Sequence, residues 1–265
     1  MHHYTHGHGR AVLRAHRNRS AANSCAHLLP LLQPGLSLLD IGCGEGWITR
    51  DLARLVAPGQ VVGVDLSAKV IHLAQAGGDI PDNLTFLVAD VYDLPFDAAT
   101  FDVTHLHQVL HHVDDPVGAI RAARRVTKPG GLVSDREGDY GAVTWYPPSR
   151  GWEVWQKVYL AVGYNLGNDP RVALRLGEVA AAAGLVDIVQ QSSLWTYPGF
   201  ATAADYAESW AERMTDPDFF PLIRAAGVAT KGELAMAAAE LRRWGQRPDA
   251  FFAFPHGELL ARVPD

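Results

Sequence analysis

LLDIGCGEGWITR, residues 38–50, is an apolar run that ends at Asp40, breaks at Gly42, Gly44 and Gly46, and resumes near Trp47 with the spacing of a helix. Glycines at a strand-to-helix turn permit positive φ and let a ligand approach bare backbone at the switch point of an open sheet. The dinucleotide fingerprint G-x-G-x-x-G/A needs a small residue at position 47. Trp47 stands there, and the spacing is G-x-G-x-G, which disfavours a nicotinamide dehydrogenase.

Outward from this loop, apolar runs alternate with helical patterns. LSLLDI precedes a helix over about Trp47 to Val56, QVVGVDL precedes one from Ser67, and LTFLVAD and FDVTHLHQ follow. A helix over about Asp115 to Val126 leads into GLVSDR. Strands spaced by helices imply a parallel sheet covered on both faces. Ser67 reads as an N-cap, Thr230 with Glu233 as a capping box, and Pro58-Gly59 and Pro129-Gly130-Gly131 as helix stops. A sixth strand is expected at about 186–195 and a last one near FFAF or ELLARV.

The 265 residues suffice for one large α/β domain, and 48% apolar with 20% charged residues is ordinary for a globular protein. A net charge of -6 argues against a phosphate-backbone binder, so a small partner is expected and nucleic acid is not. No apolar run reaches the roughly 18 residues of a bilayer span, and no signal peptide opens the chain, giving a cytoplasmic reading without a membrane partner. Cys25 and Cys43 lack metal-ligand spacing and fit a reducing compartment.

Acids end three successive strands. Asp40 closes the first; Asp65, 23 residues after Gly42, can accept from both hydroxyls of a ribose; Asp90 can accept from an exocyclic adenine amine, with Leu66 and Val91 placed to sandwich a ring. One such acid would be an ordinary strand-end carboxylate; three in succession argue for a nucleoside.

LLDIGCGEG, VVGVDLS, ADVYDLPF, FDVTHLHQVLHHVDDP and RRVTKPGG, in this order and spacing, resemble the class I S-adenosylmethionine-dependent methyltransferases, in the branch similar to the ubiquinone and menaquinone biosynthesis enzymes. The resemblance covers about residues 37–131. It implies a Rossmann-like, seven-stranded, mostly parallel sheet with an antiparallel last strand, and transfer of the sulfonium methyl to a small acceptor, leaving S-adenosylhomocysteine. Asp40, Gly42, Cys43, Gly44, Gly46, Asp65, Leu66, Asp90, Val91, His107 and Gln108 are the matching cofactor positions, with His107 beside the methionine part. Glu45 and Trp47 are larger than the residues often found after the second and third glycines, which puts the helix packing in question.

Methyl transfer from sulfur is an in-line displacement, so the protein must align a nucleophile, exclude water and, where needed, take a proton. No metal is expected: His105 and His107 share a strand face, but the HxHxDH hydrolase pattern is absent. His111 and His112 are the first candidates for a general base, with His107 a third and His105 a core histidine. Asp135, Arg136, Glu137 and Asp139 read either as groups at the cleft mouth or as a solvated loop.

Three segments are expected: a lid helix region over 1–33, a cofactor-binding core over 34–140, and a remainder over 141–265 with helical substrate-pocket insertions at about 141–170 and 195–250. Arg10, Arg14 and Arg17 fall at helical spacing; Arg19, with Arg14 second, could pair with the cofactor carboxylate, and Tyr4 and His6 could line its leading edge. A nucleic-acid arm is disfavoured by the acidic whole. Of 24 Phe, Trp and Tyr residues, 18 lie between 140 and 254; Trp152, Trp155 and Tyr159 share a helix face and read as core, and the group also fits the wall of an acceptor chamber. The competing readings are a protein that uses S-adenosylmethionine structurally or for another reaction, and an NAD-dependent oxidoreductase. Oligomeric state, monomer or homodimer, is open.

Overall fold

The computed structural model describes residues 18–197, 202–217 and 219–265. Tyr4, His6, Arg10, Arg14 and Arg17 lie outside the described residues.

After a short helix α1 (Ala21–Ser24), capped by Ser20 and Asn23, the chain runs β1 (Leu38–Ile41), α2 (Trp47–Val56), β2 (Val61–Asp65), α3 (Ala68–Ala76), β3 (Leu84–Val88), β4 (Phe101–His107), α4 (Pro116–Val126) and β5 (Thr127–Gly138). There follow β6 (Thr144–Tyr146), α5 (Arg150–Asn165), α6 (Leu176–Ala182), β7 (Val186–Tyr197), α7 (Ala203–Met214), α8 (Phe220–Ala226), α9 (Lys231–Gly245) and β8 (Phe251–Arg262). The expected caps form: Ser67 accepts from Val70 N, and Thr230 and Glu233 make the reciprocal box; Asp115 caps α4 as well, accepting from Gly118 N.

One sheet runs β3-β2-β1-β4-β5-β8-β6, with β7 also pairing β8. Strands β1 to β5 are parallel, and β8 lies antiparallel to β5, β6 and β7. The sheet therefore has eight strands where seven were expected. The extra one, β6, has three residues and pairs with Phe251–Ala253, beyond the point where β5 ends opposite His256.

Three apolar clusters hold this arrangement. On one face, α2 and α3 press Ile48, Leu52, Val56 and Ile71 against Leu38, Val61, Phe86 and Val103. On the other, α4 and α6 press Ile120, Ala123, Leu176 and Val179 against Leu39, Leu106, Val133 and Leu259. The third is aromatic: Trp152, Trp155 and Tyr159 of α5 share a buried face, as their spacing predicts, and meet Tyr206 and Trp210 of α7, Trp244 of α9 and Phe252 of β8. Strand order reverses between β1 and β4, which places a crevice at the carboxyl ends of these strands, where the glycine loop lies.

Candidate functional site

Gly42, Gly44 and Gly46 all have positive φ, +73°, +57° and +77°. A Cβ on Gly42 would lie 2.4 Å from the Val109 side chain and one on Gly46 2.4 Å from the Phe86 ring; one on Gly44 would meet nothing within 4 Å. The outer two glycines allow close packing, and Gly44 presents bare backbone to the crevice. Cys43 sits between them, half-buried, its amide donating to Val64 O at 2.9 Å. Trp47 does not enter the contact between helix and sheet. It stays exposed, its Nε1 donates to Glu45 at 3.3 Å, and its ring covers the Arg50 guanidinium at 5.4 Å.

The three strand-end acids separate in role. Asp40 is buried and accepts from the Thr49 hydroxyl at 2.6 Å; burial pushes its carboxyl up to about 7, opposed by that hydrogen bond. It ties β1 to α2 behind the loop. Asp65 is half-buried and accepts from Gly44 N at 3.1 Å and Ser67 N at 2.9 Å. Asp90, one strand over, accepts from Tyr92 N at 3.0 Å and is also half-buried. Beside them Leu66 is exposed, and Val91 packs at the edge of the cluster around Leu106.

At the end of β4, His105 and His107 share a face with rings 6.5 Å apart. His105 is a buried core group, held between Cys25 Sγ at 3.1 Å and Ser134 Oγ at 3.2 Å, and burial depresses its pKa to about 3. His107 meets Arg136 at 3.3 Å, and burial, then Arg19 and Arg136, hold its pKa well below the usual range. Gln108 follows at φ +57°. In the next turn His111 Nδ1 lies 2.5 Å from Glu137, whose other oxygen accepts from Val109 N and Leu110 N at 2.6 Å each. The rings of His111 and half-buried His112 are 3.8 Å apart.

Asp135, Arg136, Glu137 and Asp139 occupy neither a solvated loop nor a cleft mouth. All four are buried on or just beyond β5, a strand with neighbours on both edges. Arg136 pairs with Glu258 at 3.1 Å, and burial lowers its pKa to about 10, opposed by Glu258. Asp139 pairs with Arg171 at 2.9 Å. Burial, then Glu137, raises the Asp135 carboxyl well above its usual range. His27 joins the same polar layer through Ser134 at 3.0 Å.

The segment from Asn18 to Leu32 crosses this layer. Ala21 N donates to Asp51 at 3.0 Å, Trp195 Nε1 donates to Asn23 O at 2.8 Å, and Arg19 donates to Gln108 Oε1 at 2.6 Å. Arg19 thus lies against Gln108 at the end of β4. Reading the residues alone missed His256 and Glu258 of β8; their signal was three non-apolar residues, HGE, inside a strand-like run.

Among the described residues no group of three or more His, Cys, Asp and Glu could hold a metal ion, and no helix is long and apolar enough to cross a membrane.

Residues 39–134 match the family described as Methyltransferase domain. The Probable methyltransferase ltbC of Aspergillus luteorubrus is 28% identical over 282 residues, which cover 97% of this chain and 96% of that protein. The demethylmenaquinone methyltransferase of Lactococcus lactis subsp. lactis is 37% identical over 102 residues, covering 37% of this chain and 40% of that protein. The crystal structure of geranyl diphosphate C-methyltransferase from Streptomyces coelicolor A3(2) shares the fold at a TM-score of 0.52 and 20% identity, over 92% of this chain and 78% of that one. With its glycine loop and reversed strand order, the chain is similar over residues 39–134 to methyltransferase domains, the ubiquinone and menaquinone enzymes among them.

Proposed function

We propose that the chain transfers a methyl group from S-adenosylmethionine to the oxygen, nitrogen or carbon of a small, partly apolar or aromatic acceptor, in quinone-type or specialised metabolism. The observation that carries this reading is the open backbone of Gly44 between Gly42 and Gly46, with Asp65 and Asp90 at the ends of the next two strands. The donor set fits a nucleoside: half-buried Asp65 would accept from a ribose, Asp90 from the edge of a base, and exposed Leu66 would cover one face of its ring. When bound, the cofactor supplies an electrophilic methyl on a positively charged sulfur.

This chain's residues then bind, orient and move a proton. His111 is assigned as the general base: Glu137 fixes its Nδ1, which leaves Nε2 as the nitrogen that takes a proton from the acceptor. His107 is assigned to the cofactor instead, because charging its buried ring is opposed by Arg19 and Arg136. Tyr140 joins the base to the aromatic insertion: its ring is 5.3 Å from His111 and stacks on Tyr159 at 4.0 Å. The acceptor chamber is assigned to the aromatic insertions at about 141–170 and 195–250, and a flat aromatic acceptor suits such walls.

Incubation with cofactor labelled in its methyl group and a panel of phenols, quinols and amines tests the reading. Labelled product should appear together with an equal amount of S-adenosylhomocysteine. Product formed without S-adenosylhomocysteine would move the cofactor to a supporting role in another reaction.

A further inference from the structure

Side chains alternate along a strand, so Asp135 and Glu137 leave β5 on one face while Ser134 and Arg136 leave on the other. The face that carries the two acids is apolar. Asp135 stands opposite Leu106 of β4 and Leu259 of β8, and both leucines belong to the cluster that α4 and α6 press onto the sheet. The strand has a neighbour on each edge, and Asp135 is 0% exposed.

The two acids are satisfied differently. Glu137 takes three N–H bonds: Val109 N and Leu110 N donate to Oε1 at 2.6 Å each, and His111 Nδ1 lies 2.5 Å from Oε2. Neither oxygen of Asp135 has a hydrogen-bond partner among the described residues. A carboxylate only accepts, so two ionised acids cannot bond each other, and an ionised Asp135 would be a buried charge without a donor. A carboxylic acid has an O–H to give, and the acceptor beside it is Glu137. Burial, then Glu137 through its charge and a hydrogen bond, holds the Asp135 carboxyl well above its ordinary range.

We infer that Asp135 is a carboxylic acid whose O–H donates to Glu137, and that it is a positioning residue for the His111 base: one proton held between the two acids leaves a single negative charge facing the imidazole. This rests on His111 as the base assigned above. All three N–H donors to Glu137 come from the turn after β4, at residues 109–111, so Asp135 is the group that restrains the carboxylate from its own strand. The arrangement balances charge during methyl transfer. When the acceptor's bond to hydrogen breaks, the proton binds His111 Nε2 and the electron pair stays on the atom that takes the methyl. The imidazolium then faces one carboxylate charge, and the Asp135 proton does not leave. A second ionised carboxyl would put an uncompensated charge in the apolar cluster at every stage.

Infrared difference spectroscopy of the wild-type protein against Asp135→Asn at neutral pH tests the inference. The carbonyl stretch of a protonated carboxylic acid should be present in the wild type and absent from the variant; spectra without that difference would overturn it, whatever the activity. Kinetics test the positioning role. Asp135→Asn keeps a neutral N–H donor in the same shape and should retain kcat within about threefold, whereas Asp135→Val, with no donor, should lose about tenfold or more in kcat with the KM of S-adenosylmethionine unchanged. Equal losses in the two variants, or wild-type kcat in Asp135→Val, would overturn that role. If no acceptor is methylated, the function proposed above fails, and the histidine nitrogen NMR spectrum still reads the coupling. The His111 Nδ1 signal should move in Asp135→Val and stay in Asp135→Asn, and a signal unmoved in both would overturn the inference independently.

Discussion

Glu137 holds His111 through one carboxylate oxygen, 2.5 Å from Nδ1, and uses the other to fix the backbone of the turn on which His111 sits. Both side chains are buried, so ring orientation and tautomer are set before any acceptor arrives. For an acceptor that must lose a proton, His111→Asn should lower kcat by about 10²–10⁴ without changing the Kd of S-adenosylhomocysteine. Glu137→Gln can still accept from Val109 and Leu110 but presents the wrong partner to His111. Its kcat should fall with a small change in Tm, and wild-type kcat would remove the carboxylate from the account.

The glycine loop divides its labour. Gly42→Ala and Gly46→Ala combine positive φ with contacts of 2.4 Å to Val109 and Phe86, so urea unfolding should show losses beyond the roughly 1–2 kcal/mol of left-handed strain alone. Gly44→Ala should lose only about that strain, yet bind S-adenosylhomocysteine poorly, because its methyl enters the crevice. Equal destabilisation at all three positions would contradict this division.

Two buried histidines make stability fall in acid. Burial depresses His27 to about 4 and His105 to about 3, from an ordinary value of 6.5; Glu258 partly opposes the shift at His27. Stability gained by keeping them neutral is fully present above pH 6.5. It declines below that as the unfolded chain takes up protons the folded chain refuses, and the loss is complete near pH 3. Thermal melting at pH 7 and pH 4.5 should show this drop, with a shallower profile in His27→Gln. Parallel profiles in the two proteins would reject the role of His27.

The sequence made the parallel half legible because its strands carry strong apolar runs, and those of β1, β2 and β4 lead into helical patterns, the helix after β2 with a capping signal at Ser67. The two ends of the sheet were harder. Strand β6 has three residues, too few for any periodicity, and exists because β8 outruns β5. The last strand was expected near FFAF or ELLARV, and β8 runs through both, across Pro255 and Gly257. Pro255 is tolerated because it lies in the gap between β5, which ends opposite His256, and β6, which begins opposite Ala253. Gly257 is required because a Cβ there would lie 2.2 Å from the Ala173 carbonyl. The same misreading hid His256 and Glu258, whose roles depend on strand register. The buried acids of β5 were ambiguous because their burial comes from β8, some 120 residues away.

The central claim is tested most directly by titrating the protein with S-adenosylhomocysteine and, separately, with NAD. The account predicts saturable binding of one S-adenosylhomocysteine per chain, weakened in Asp65→Ala, and no binding of NAD. Saturable binding of NAD without binding of S-adenosylhomocysteine would contradict it.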